Sequence, residues 1–146
     1  MDQIAALLAH LWGDYILQSD WRALNKSKRS WPCLVHVLLY TACFLFVTTS
    51  WKALAVIGVT HFLIDRFGLA RYLCWAKNHI APNHGCNCGL VYLCPIGGWR
   101  TAYAEWSKCT VTGYDDSRPI WITLWLLIAA DNTLHLTLNF LALKYL

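Results

Sequence analysis

Residues Trp51 to Ala70 read WKALAVIGVTHFLIDRFGLA, an apolar run in which His61 and Asp65 stand four residues apart. An aspartate at the centre of a bilayer costs about 2.5 to 3.5 kcal/mol on insertion scales, and a lipid-facing one gains nothing in return. The same pairing recurs elsewhere. The apolar stretch from Gln3 to Gln18 carries His10 and Asp14, and the stretch from Pro119 to Leu143 carries Asp131 and His135. At this spacing each pair lies on one helix face in adjacent turns. A chain with three such faces must turn them toward each other.

Composition says which solvent the other faces meet. Hydrophobic residues make up 58% of the chain and charged ones 14%, against about 25% charged in an ordinary soluble domain. The chain therefore reads as an integral membrane protein, and its nine tryptophans and seven tyrosines suit membrane–water interfaces. Four apolar stretches, 3–18, 34–50, 51–70 and 119–143, predict an all-α polytopic fold. Residues 1–146 then form a single four-helix transmembrane bundle, with a Cys/Trp-rich loop at 72–118 before the last helix. The N-terminus lacks a basic n-region and a small-residue cleavage site, which predicts a retained helix. Seven cysteines cannot all pair internally, and their spacing resembles no disulfide framework. Net charge +4 is weak support for nucleic acid, and no nucleic-acid partner is predicted. Arg22, Lys26, Lys28 and Arg29 follow the first stretch, and six basic residues lie between Arg66 and Arg118. The positive-inside rule places loops 19–33 and 72–118 in the cytoplasm.

The order within each pair carries further information. Stretches one and three run the same way and read His-x-x-x-Asp, whereas the antiparallel fourth reads Asp-x-x-x-His. At about 1.5 Å per residue from the outer ends, the three histidines fall roughly 13 to 16 Å deep and the three aspartates roughly 19 to 22 Å. His36, on stretch two, falls at about 21 Å. The inversion is what shared layers require. Three crowded carboxylates repel unless a cation sits among them, and no lysine or arginine lies deep in the stretches, Arg66 coming after Asp65 near the edge. A lone His or Asp in an apolar helix is ordinarily a satisfied core residue. Three matched pairs favour a metal site built from His10, Asp14, His36, His61, Asp65, Asp131 and His135. This donor set suits a divalent transition metal, zinc first, with manganese or iron as alternatives, as one ion or two.

The strings HLWGDYILQSDWRALNK, THFLIDRF and ADNTLHL, with His36 between the first two, resemble the domain of unknown function 3307 family of small bacterial and phage integral membrane proteins. That family is itself loosely similar to membrane-bound metal-dependent hydrolases. The resemblance implies a bacterial inner-membrane location. It marks His10, Asp14, Gln18, Asp20, Lys26, His61, Asp65, Asp131 and His135. Family members often read Asp-Gln in the last motif, where this chain has Asp131 followed by Asn132, and the Cys-rich loop lies outside the pattern.

Three functions compete on these residues. The first is a membrane-embedded metal-dependent hydrolase acting on a lipid or lipid-linked phosphoester. In it Asp14, Asp65 or Asp131 serves catalysis, and Gln18, Asp20, Lys26, Arg66 or Arg22 contacts the substrate. The second is a proton-coupled channel or carrier that uses the same layer, enclosed by a homo-oligomer. The third is a non-catalytic phage protein that binds a host membrane complex through the aromatic loop. Separately, His84, Cys86, Cys88 and Cys94 form a weaker second zinc motif, because Cys-x-Cys is tighter than the usual Cys-x2-Cys.

Overall fold

The computed structural model describes residues 3–80, 91–94, 98–101 and 106–146, with only the backbone at 79–80, 91–94 and 98–101. As the sequence predicts, the chain is helical. The described elements are α1 (Gln3–Leu11) continuing as a π-helical turn (Trp12–Ile16), α2 (Asp20–Asn25), α3 (Ser30–Cys43) continuing as a 3-10 turn (Phe44–Phe46), α4 (Trp51–Phe67), α5 (Leu69–Ile80), β1 (Val91–Cys94), β2 (Gly98–Thr101), a 3-10 turn (Trp106–Lys108) and α6 (Ile120–Tyr145). The strands pair antiparallel, with Val91 opposite Thr101 and Cys94 opposite Gly98.

Packing divides the chain into two units, one comprising Met1–Leu69 and Asp131–Leu146, the other Ala70–Ala130. In the first, α1, α3, α4 and the second half of α6 meet at Ala9, Tyr40, Phe44, Ile57 and Ala142. Two glycines set how closely the helices approach. A Cβ on Gly13 would lie 2.5 Å from Tyr40 Cδ2 and 3.1 Å from Tyr40 Cα, and one on Gly58 would lie 3.0 Å from Thr41 Oγ1. Ser50 caps α4 by accepting from the Ala53 N–H at 3.4 Å. Outside this core the unit is apolar. Ile4, Leu8, Trp12, Ile16, Leu38, Leu45, Phe46 and Val59 are all exposed, while His10, His36, His61 and His135 are almost fully buried.

One expectation needs correction. The third stretch does not run to residue 70, because Gly68 ends α4 in the left-handed conformation (φ 58°, ψ 48°) and donates its N–H to the Ile64 carbonyl. A glycine pays no Cβ penalty there. The chain then resumes as α5, so residues 72–80 are helix and not the start of a loop. Among the described residues only α6 is by itself long and apolar enough to cross a membrane, α4 and α5 pass only if taken together, and α3 with its 3-10 turn is shorter.

The second unit is held by its own contacts. Tyr72 stacks on Trp106 at 4.6 Å and Trp75 meets the same ring edge-on at 5.8 Å. Gly113, at φ 78°, sits against the Arg71 carbonyl and the Cys74 side chain, where no other residue fits.

Candidate metal centre

Three helical segments deliver four polar side chains to one buried point in the first unit. Asp14 comes from the π-helical turn, where the widened ladder closes with Leu17 N–H donating to the Trp12 carbonyl at 2.9 Å. Such turns concentrate at functional sites. His36 comes from α3, and His61 and Asp65 from α4. The Nε2 atoms of His36 and His61 lie 3.0 Å apart. His36 Nε2 is 3.1 Å from Asp14 Oδ1 and 3.3 Å from Asp65 Oδ2. His61 Nε2 is 3.5 Å from Asp14 Oδ1 and 3.1 Å from Asp65 Oδ2. These four side chains, all buried, form a set able to hold one ion. Donors about 2.0 to 2.1 Å from a tetrahedral ion stand about 3.3 Å from each other, and the separations of 3.0 to 3.5 Å bracket that value.

Asp131 and His135, from α6, stand on the far side of Asp65. His135 Nε2 is 3.5 Å from Asp65 Oδ1 and 3.7 Å from Asp131 Oδ2. The His61 and His135 rings are 4.1 Å apart between centroids.

His10 departs from the sequence expectation. Both of its nitrogens are engaged elsewhere, Nδ1 with the Tyr40 hydroxyl at 2.8 Å and Nε2 with Asn132 Oδ1 at 2.7 Å. The surrounding bonds fix its tautomer. Asn139 Nδ2 donates to the Tyr40 oxygen at 2.6 Å, so the Tyr40 O–H is free to donate to Nδ1, and Nε2–H then donates to Asn132. Asn132 in turn donates to the Tyr15 hydroxyl at 2.6 Å. His10 thus belongs to a supporting network and not to the converging donors. Tyr40 also stacks on His61 at 3.7 Å between centroids, fixing that imidazole from above. Sequence reasoning missed Tyr40 and Asn139. The available signal for Tyr40 was its place one helical turn after His36 on the same face.

Lys26 corrects the expectation that no cation reaches the carboxylates. Its Nζ lies 2.9 Å from Asp65 Oδ2 and 3.8 Å from Asp14 Oδ1. Burial acts to lower its pKa, but the Asp65 and Asp14 charges win and hold the ammonium above its usual range. Lys26 follows α2, outside the apolar stretches, and its side chain reaches in over about four carbons. The other expected substrate contacts are dispersed. Arg66 donates to the Ser27 carbonyl at 2.8 Å and to Ser30 Oγ at 3.2 Å, tying α4 to the α2–α3 connection. Arg22 donates to the Leu17 carbonyl. Asp20 is exposed in the first turn of α2, and Gln18 Oε1 is buried without a hydrogen-bond partner. Of the second zinc motif, His84, Cys86 and Cys88 lie outside the described residues, and Cys94 is described only as backbone in β1.

The family described as "Protein of unknown function (DUF3307)" matches residues 3–82. No curated protein and no solved structure matches the chain. The matched residues hold the four converging donors and Lys26, while Asp131 and His135 lie beyond them.

Proposed function

This chain belongs to the DUF3307 family, and we propose that it is a membrane-embedded, metal-dependent hydrolase whose ion is held by Asp14, His36, His61 and Asp65. The observation that carries the reading is that five of the six donor pairs stand 3.0 to 3.5 Å apart, near the edge of a tetrahedral coordination shell, although 51 positions separate Asp14 from Asp65. Charge supports it. When ionised, the three carboxylates (Asp14, Asp65, Asp131) outnumber the one nearby ammonium, Lys26, by two charges, an excess that bound cations offset. Zinc fits an imidazole–carboxylate set best, with manganese or iron next. An ion held there would act as a Lewis acid and, on expanding to take a fifth ligand, would polarise an ester oxygen or bring the pKa of a coordinated water toward about 7.

The membrane setting rests on the reversed distribution of side chains. Charged and imidazole groups are buried, large apolar groups face outward, and α6 has the length and composition of a span. A four-helix bundle in the bilayer is the arrangement that satisfies both halves of this pattern, because only buried protein can host the polar layer. Asp131, with a side chain 33% exposed, is the most open of the acidic members, so water and substrate approach on its side. A substrate reaching a site at this depth is a lipid or a lipid-linked phosphoester. Lys26 is placed to meet its phosphate once an ion takes over its carboxylate partners.

Elemental analysis of protein purified in detergent without chelators tests the reading. At least one transition ion per chain is expected, together with release of phosphate or alcohol from lipid phosphoesters that Asp65→Asn abolishes. Less than one ion per chain refutes it. One observation favours a second reading. The hydrogen-bonded chain Asn139–Tyr40–His10–Asn132–Tyr15 is continuous, and its Tyr40–His10 link joins two groups able to exchange a proton in a metal-free carrier. That reading requires pH-dependent flux in liposomes, lost in Tyr40→Phe, and the enzyme reading requires none.

A further inference from the structure

Asp65 presents its two oxygens to two different groups. Oδ2 faces His36, His61 and Lys26, whereas Oδ1 faces His135. On the Oδ1 side stand Asp131 and His135, which with Asp65 form a second set of donors able to hold an ion. His135 is 1% exposed, and its Nε2, directed at these carboxylates, has no hydrogen-bond partner. Its carboxylate neighbours, at 3.5 and 3.7 Å, stand at ion-pair distance but beyond ordinary hydrogen-bond length. A cation between the three groups would satisfy all of them.

We propose that the centre is dinuclear, with Asp65 bridging a first ion held by Asp14, His36 and His61 and a second ion held by Asp131 and His135. This rests on the metal-dependent reading above and assigns the two ions different tasks. The first site has four protein donors, the number found in closed structural sites. The second has three, the number that leaves a position for water or substrate in catalytic sites. Its carboxylate Asp131 is also the partly open one. Asp131 and His135 would therefore hold the ion that a phosphoester reaches, and Asp14, His36 and His61 would hold the one that fixes the bridging carboxylate of Asp65. Paired ions of this kind stabilise both the attacking and the leaving oxygen of an in-line displacement at phosphorus. Because it has fewer protein donors, the second ion binds more weakly.

Manganese titration of chelator-stripped protein in detergent, followed by electron paramagnetic resonance, tests the assignment. Wild type is expected to take up two ions per chain in two steps, the second at least tenfold weaker. The fully loaded protein should give an exchange-coupled signal in place of the simple six-line pattern. Asp131→Asn and His135→Ala should each bind one ion with the first-step affinity of wild type and give only the six-line signal. Asp131→Asn is nearly isosteric at a partly exposed position, so it reports even if His135→Ala misfolds, and the wild-type spectrum needs no variant. Saturation of wild type at one ion, or coupled signals surviving in both variants, overturns the dinuclear assignment and leaves the single-ion reading standing. No bound ion in wild type overturns both.

Discussion

Lys26 Nζ lies 2.9 Å from Asp65 Oδ2, the same oxygen that faces His36 and His61. An ammonium carried by the segment after α2 thus shares a ligand atom with the proposed first ion. Lys26 is 19% exposed at its side chain, so it can leave toward solvent. The arrangement lets Lys26 act as a stand-in cation that keeps the carboxylates compatible with burial when no metal is bound.

Competition between the two cations gives a signed prediction. A positive charge a few ångströms from a divalent ion costs several kcal/mol at the effective dielectric of a protein. Replacing Lys26 by Met should therefore tighten metal binding by about tenfold or more, measured by competition with a fluorescent chelator. Phosphoester turnover should fall in the same variant, because the group proposed to meet phosphate is gone. Weaker metal binding in Lys26→Met would mean that the lysine organises the donors and does not compete.

Metal removal should be felt as lost stability. An ion present at about a thousand times its dissociation constant adds about 4 kcal/mol to the folded state, equivalent to roughly 10 °C in the unfolding midpoint of a chain this long. Chelation should lower the midpoint by about that amount, and zinc should restore it. A midpoint indifferent to chelator would argue that the centre holds no ion.

Tyr40→Phe removes the hydroxyl that accepts from Asn139 and donates to His10. Two buried polar groups then lose their partner, at about 1 to 3 kcal/mol each. The ring stacked on His61 remains, so metal stoichiometry should be unchanged. Chemical denaturation and elemental analysis on the same sample separate the two effects.

Gly13→Ala tests the helix approach that seats Asp14. The added Cβ would meet Tyr40 at both side chain and backbone, 2.5 and 3.1 Å away. The backbone contact cannot be relieved by a rotamer change, so the π-helical turn must move away from α3. Overpacking of this kind costs about 1 to 3 kcal/mol, and displacement of Asp14 should weaken the first ion more than tenfold. Retained affinity would show that Asp14 is not among its ligands.

Helix periodicity was enough to identify the polar faces. His61 with Asp65, His10 with Asp14 and Asp131 with His135 are each four residues apart. In apolar runs that spacing constrains both secondary structure and the need for the faces to meet, because solvation cost is local to each helix. Other features were written in the chain but not decisive there. Gly68 stands within the apolar run 51–70, and its left-handed backbone ends α4 there.

What the local pattern cannot carry is which atoms meet across helices. His10 and His61 have the same neighbour four residues on, yet His10 spends both nitrogens on Tyr40 and Asn132 while His61 turns Nε2 to the carboxylates. Lys26 lies outside every apolar run and still reaches the buried layer. The two oxygens of Asp65 are chemically identical in sequence and face different donors in the fold. Amino-acid order determined that imidazoles and carboxylates must be sequestered together, since the cost of exposing them to lipid depends on residue type alone. Tertiary packing decided which of them converge, because hydrogen bonds and coordination act over about 3 Å and only the close approach of α1, α3, α4 and α6 sets distances that small.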